Sequence, residues 1–239
     1  MKTEFLFSQG YHGAGPVWTK GRPGVLDTDT AYQVEYEYND INSVEIAMKK
    51  AESDGGVAGI IVSAFDYRYS RELVMARQEW VEEVRDLCKK TGALLILDDV
   101  RAGFRLSLSS SWAGMYSVTP DLVCYSKAIA NGYALSALVG SEACRQAGAE
   151  KVFATGSFWF SSCAMAAALA TLEELEKRNV VEELKTVGNM LKNGLEEQGD
   201  EVGMKIKVTG PPSMPFLSFD EDQPFNRPRG NLFTEECAR

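Results

Sequence analysis

Residues Ala93–Arg105 read ALLILDDVRAGFR. Five apolar residues in succession, bounded by Gly92 before and two aspartates after, have the length and composition of a strand buried on both faces of a sheet. Asp98 and Asp99 then stand at its carboxyl end. In open parallel sheets that edge is where ligands bind. A carboxylate there serves a metal, a sugar hydroxyl or a protonated ring nitrogen. A lone pair of aspartates more often caps the turn that follows.

Working outward, Leu73, Ala76, Trp80, Val84 and Leu87 form one apolar stripe, which predicts a helix over 73–90. Ser70 is placed to cap its start, and Gly92 to take the left-handed position at its end. Upstream, VAGIIV at 57–62 is a second buried strand, preceded by a helix over 42–51 that stops at Gly55-Gly56. Asn42 and Glu45 have capping-box spacing. Downstream, residues 122–125 and 137–139 are two further short strands. Strand, helix and strand in alternation predict an α/β fold on a mainly parallel sheet. Helices follow over 163–176 and 179–198. Strands over 205–208 and 216–219, separated by a Pro-rich turn, give the tail an α+β character.

The chain has 239 residues, with 25 Lys+Arg against 34 Asp+Glu, for a net charge of −9. An acidic chain without a basic face is not expected to bind nucleic acid. No apolar run nears the ~20 residues of a membrane span, and Met1–Gly10 is not a signal peptide. Five scattered cysteines, none in CxxC spacing, and one histidine predict neither a disulfide framework nor a metal site. These features predict a cytoplasmic protein.

Lys127 follows the strand LVCY and precedes the turn Asn131-Gly132. A strand-end lysine among apolar neighbours has its ammonium form disfavoured, and a neutral amine is what a Schiff base needs. Tyr125 and Lys127 are two apart, so the Tyr-xxx-Lys pair of short-chain dehydrogenases is absent. Gly10, Gly13 and Gly15 around Tyr11-His12 do not form a dinucleotide fingerprint.

Together, ALLILDDVRAGFR, VTPDLVCYSKAIANG (118–132) and ATGSFWFSSCAMAAALATLEEL (154–175) resemble the class III pyridoxal-phosphate aminotransferases. Within them the closest likeness is to the glutamate-1-semialdehyde aminomutase branch. YHG at 11–13 and YND at 38–40 fit the same family. The resemblance implies fold type I, with helices on both faces of the sheet, and a homodimer acting on small amino and keto substrates with pyridoxal 5'-phosphate (PLP). It implies a large cofactor-binding domain over 1–175 and part of a small α+β domain over 176–239. Asp98 matches the residue that keeps the pyridine nitrogen protonated, and Lys127 the Schiff-base lysine that also moves the proton. Val100 matches the apolar residue under the ring, Tyr11 the aromatic over it, and His12 lies beside Tyr11. Ser157 matches a hydroxyl that reaches the phosphate of the neighbouring subunit.

The sequence departs from the family pattern in places. Ser63-Ala64 replaces a usual Glu-Pro, Asp99 a usual Glu, and Arg101 an uncharged residue, placing Arg101 near a substrate carboxylate or in a surface ion pair. The Gly-Ser/Thr phosphate turn expected upstream of YHG is not in the sequence, so the chain is expected to be part of a longer product and to bind cofactor poorly alone. The expected activity is transamination or an intramolecular amino shift. A racemase or decarboxylase on the same fold, and a non-catalytic α/β binding module or inactive homologue, are the alternatives.

Overall fold

The computed structural model describes residues 4–8, 26, 28, 31–68, 72–153, 156–159, 161–220 and 227–239. The chain divides into two compact units, residues 1–64 with 76–180, and residues 65–75 with 181–239. The sequence reading ran its first domain unbroken through 1–175; here a short excursion, Phe65–Met75, belongs to the second unit.

The first unit is built on a six-stranded sheet, β1 (Glu4–Ser8), β2 (Gln33–Tyr36), β3 (Val57–Ser63), β6 (Leu94–Asp98), β7 (Leu122–Tyr125) and β8 (Ala137–Gly140), in the order β2-β1-β3-β6-β7-β8. All neighbours are parallel except β7 and β8. The helices that cover one face are α1 (Ile41–Ala51), α2 (Gln78–Thr91) and α3 (Ser111–Tyr116). Val44, Trp80, Val84, Ile60, Leu95, Leu97 and Trp112 are fully buried in that core. Trp80 lies 4.7 Å from the ring of Tyr38 and 5.9 Å from Trp112, edge-on to the latter. A second, smaller core joins Phe104, Ile129 and Ala130 to Ala168 and Leu175 of α5 (Ser162–Arg178).

Three expectations change. The start of α1 is capped by Asp40, whose Oδ1 accepts the Ser43 N–H at 3.2 Å, and not by Asn42. Helix α2 begins at Gln78, so Leu73 lies in a strand; the Arg77 N–H just ahead of the helix donates to Asn39 Oδ1 at 2.9 Å. The apolar stripe is genuine, but Glu72–Met75 pairs antiparallel with Phe65–Arg68, and that pairing wins over helical periodicity. Ser70 lies outside the described residues. Finally, β6 is not buried on both faces: Leu95 and Leu97 are, while Leu94 is 37% exposed and Ile96 and Asp98 are half-buried.

The second unit holds the hairpin of β4 (Phe65–Arg68) and β5 (Glu72–Met75), most of α6 (Val180–Glu201), the hairpin of β9 (Ile206–Thr209) and β10 (Phe216–Phe219), and α7 (Pro228–Cys237). The two hairpins meet where the Leu73 N–H donates to Thr209 Oγ1 at 3.0 Å and Lys207 Nζ pairs with Glu72 at 2.6 Å. Helix α6 approaches Pro212 so closely at Gly188 that a Cβ there would lie 1.8 Å from the Pro212 carbonyl oxygen. Among the described residues no helix is long and apolar enough to cross a membrane.

Candidate active site

Parallel register fixes the geometry of the sheet's carboxyl edge. Ser63 of β3, Asp98 of β6, Cys124 of β7 and Leu138 of β8 are direct cross-strand partners, so their side chains share one face. That face is the more open one. Asp99, one residue on, is fully buried. The two aspartates therefore diverge by the ordinary alternation of a strand.

Asp98 Oδ1 accepts the Val100 N–H at 3.0 Å, an Asx turn that fixes its carboxylate at the strand end. Asp99 turns to α3, where its Oδ2 accepts the Ser111 N–H at 2.7 Å and its Oδ1 accepts the Ser111 Oγ–H at 2.6 Å. Burial pushes the Asp99 carboxyl up to about 6, against the opposing pull of the two Ser111 hydrogen bonds, with Asp98 adding to the rise. The thiol of half-buried Cys124 is pushed up to about 11 by desolvation and then by the Asp98 and Asp99 charges.

The chain leaves Asp99 in a tight turn. The Gly103 N–H donates to the Asp99 carbonyl at 2.8 Å, and Phe104 takes φ +63°. A Cβ on Gly103 would meet the Tyr125 ring at 2.6 Å, so only glycine fits. Phe104 stacks on Tyr125 at 5.0 Å between ring centroids. Burial, then the Asp99 charge, raise the Tyr125 hydroxyl to about 12. Arg101 and Arg105 are half-buried in this turn, and Arg105 Nη1 donates to the Arg101 carbonyl at 2.8 Å. Burial, then the Arg101 charge, lower the Arg105 guanidinium from its ordinary value.

Lys127 comes two residues after Tyr125, opening a 3-10 turn over Lys127–Ala130. It holds φ +50°, a left-handed conformation unusual for lysine. Ser126 Oγ donates to the Leu135 carbonyl at 3.0 Å on one side, and Ile129 and Ala130 are buried on the other. The lysine thus follows the end of β7, the strand beside that of Asp98, on a backbone held by its surroundings. Its side chain is exposed, and not packed among apolar neighbours as the sequence led one to expect.

Val100, two residues beyond Asp98, is half-buried. Ser157 lies in an exposed turn, Gly156–Trp159, just ahead of α5. Tyr11 and His12 lie outside the described residues. Among the described residues there is no cluster of His, Cys, Asp and Glu able to hold a metal.

Sequence reasoning missed Asp121, which ties three elements together. Its Oδ2 accepts the Leu95 N–H at 2.8 Å and pairs with Arg85 Nη1 of α2 at 2.8 Å, while its carbonyl accepts the Ser141 N–H at 2.8 Å. Ser111 was missed as well. An aspartate just before a buried strand was the available signal for the first; nothing local marks the second.

A parallel sheet presenting a carboxylate and a lysine on adjacent strand ends defines an α/β protein of the PLP-dependent transferase fold, fold type I. The chain belongs to the class-III aminotransferase family, whose sequence profile matches residues 18–227. Over 224 residues it is 40% identical to an aminopentol aminotransferase of Sphingopyxis macrogoltabida, covering 94% of this chain and 52% of that protein. It is 34% identical to a 3-aminobutyryl-CoA aminotransferase of Cloacimonas acidaminovorans, over 90% of this chain and 51% of that protein. A glutamate-1-semialdehyde 2,1-aminomutase of Desulforapulum autotrophicum is 32% identical, over 89% and 52%. The chain thus spans about half the length of the curated relatives it matches. The solved FumI protein of Sphingopyxis sp. MTA144, in its PLP internal aldimine form, superposes with a TM-score of 0.86 at 40% identity, covering 92% of this chain and 53% of that one. An omega-transaminase from Sphaerobacter thermophilus shares the fold, with a TM-score of 0.80 at 21% identity over 94% and 55% of the two chains.

Proposed function

We propose that this chain carries the carboxylate–lysine part of a PLP site in an enzyme that moves an amino group between a small amino donor and a keto acceptor. The observation that supports the reading is the placement of Asp98 at the end of β6 and of Lys127 just past the end of the neighbouring β7, with Asp99 committed elsewhere. The side chains present fit the cofactor. An aldehyde needs an exposed amine, Lys127; a basic ring nitrogen needs a fixed carboxylate, Asp98; and a flat ring needs an apolar surface, which Val100 would offer. Tyr11 would cover the opposite face, with His12 beside it. Ser157 would donate its hydroxyl to the phosphate held by the second subunit of a homodimer.

When bound, PLP draws electrons away from the carbon that carries the transferred amino group. Asp98 accepts a hydrogen bond from the ring N–H and keeps that proton in place. Lys127 takes a proton from the substrate carbon and returns it one position along, a general base and then a general acid. The turn at Lys127–Ala130 fixes the backbone from which the same Lys127 nitrogen would serve both transfers, as the neutral amine in the first and as the ammonium in the second.

Borohydride reduction of the PLP-loaded protein, followed by peptide mass analysis, tests the reading. We expect the cofactor mass on the peptide containing Lys127; an unmodified peptide would leave the non-catalytic module standing. The donor panel should hold an aminopentol, 3-aminobutyryl-CoA and glutamate-1-semialdehyde, after the three relatives. A single-substrate reaction with the last, needing no keto acceptor, would favour the aminomutase branch that aminomutases at 32% identity suggest.

A further inference from the structure

We propose that Asp99, clamped by Ser111, is a positioning residue that sets the Asp98 carboxylate at the sheet edge and backs it with a second negative charge shielded from water. The proposal rests on the reading above, since it concerns the anion that would face the ring nitrogen.

Asp99 is anchored at four points. Its two carboxylate oxygens are held by Ser111, its N–H donates to the Cys124 carbonyl at 3.0 Å, and its own carbonyl accepts the Gly103 N–H at 2.8 Å. A residue so fixed removes the rotational freedom of the peptide it shares with Asp98. The Asp98 carboxylate is in turn held locally by the Val100 N–H. Gly103 completes the lock, because a Cβ there would lie 2.8 Å from the Asp99 carbonyl oxygen.

A helix cap alone does not account for Asp99. Ser110 already caps α3, its Oγ accepting the Ala113 N–H at 3.3 Å. Burying a carboxylate with hydrogen bonds from a single residue is costly, and a neutral side chain would make the same turn at lower cost. The charge therefore has an object beyond α3. Burial is the main cause of the rise at Tyr125 and Cys124; the Asp99 charge adds to it at Tyr125, and at Cys124 it adds after that of Asp98. Those residues flank the Asp98 edge and lead to Lys127. An unscreened anion at this depth favours a cation held against Asp98, and a protonated ring nitrogen is such a cation.

The test uses the protein loaded with ring-¹⁵N-labelled PLP at pH 8, where a carboxyl near 6 is ionised. The readouts are the ring-nitrogen NMR shift and the dissociation constant for PLP. In Asp99→Asn we expect the nitrogen shift to move toward that of the unprotonated ring and PLP to bind about tenfold more weakly, the usual scale for a supporting partner. Ser111→Ala should move both in the same direction by less, and Asp99→Glu should restore them. If Asp99→Asn does not fold, Ser111→Ala decides alone. Wild-type shift and affinity in these variants, with only the melting temperature lowered, would reduce Asp99 to a structural brace and overturn the proposal. A wild-type protein that takes up no PLP would overturn this proposal and the functional reading together; a normal wild type with unmoved variants overturns this one only.

Discussion

Lys127 carries two loads, a chemical one at its amine and a conformational one at its φ of +50°. They separate by substitution. Lys127→Ala removes the amine and is expected to cut turnover by ~10⁴-fold or more and to abolish borohydride trapping. Lys127→Gly should be equally inactive yet about 1 kcal/mol more stable than the alanine variant in urea, since glycine takes the left-handed region without a Cβ clash. Asp98→Asn should retain cofactor but lose turnover, because an amide does not hold the ring proton. Asp99 has a pH signature of its own. Its carboxyl is raised from 3.8 to about 6, so the folded state holds a proton that the unfolded chain has released. The stabilising contribution is full below about pH 4 and is lost as pH rises toward 6, by about 3 kcal/mol at ~1.4 kcal/mol per unit. Urea titrations at pH 4, 5, 6 and 7 should show the wild type losing this margin relative to Asp99→Asn. A constant difference across the series would refute it.

At the scale of elements, the carboxyl edge depends on Asp121, which locks β6 to the start of β7 and to α2. Asp121→Ala strands a largely buried guanidinium and the Leu95 N–H, for an expected loss of about 2–4 kcal/mol measured by chemical denaturation. Gly103→Ala should cost about 1–3 kcal/mol, by driving a methyl into the Tyr125 ring. The strands around the site were legible in the sequence because each is a short apolar run ended by a turn residue: residues 57–62, 122–125 and 216–219 were read within a residue of their bounds. Asp98 and Lys127 were legible as strand-end residues, and their pairing came from the family likeness. What the sequence hid is what long-range partners decide. Leu73 fits a helical stripe as well as a strand, and only its pairing across from Tyr67 chooses. The Asp99–Ser111 clamp spans 12 positions with no local signature. The exposure of Lys127 depends on what packs around it, which no pattern of neighbours encodes.

At the scale of the whole molecule, several large apolar side chains of the first unit stay uncovered. Leu138 is 66% exposed, Phe153 92%, Phe158 89% and Trp159 54%, far beyond scattered surface leucines. Such a chain is expected to associate, in keeping with the homodimer proposed above. Sedimentation at rising concentration should give a mass above that of one chain, and Phe153→Ser with Phe158→Ser should shift it toward the monomer. A single-chain mass at every concentration would oppose both association and the placing of Ser157 at a second subunit's phosphate.

The excursion at Phe65–Met75 bears on how the protein is made. Its β5 strand meets β9 and β10, and Glu72 finds Lys207 135 residues later. A ribosome adding ~5–20 residues per second takes roughly 7 to 27 s to cover that distance. Throughout that interval the strands that the hairpin meets are still incomplete, and Leu73 has no Thr209 to receive its amide. The second unit cannot complete itself in the order of synthesis, so a nascent-chain holdase or a pause ahead of residue 206 would act on this hairpin first.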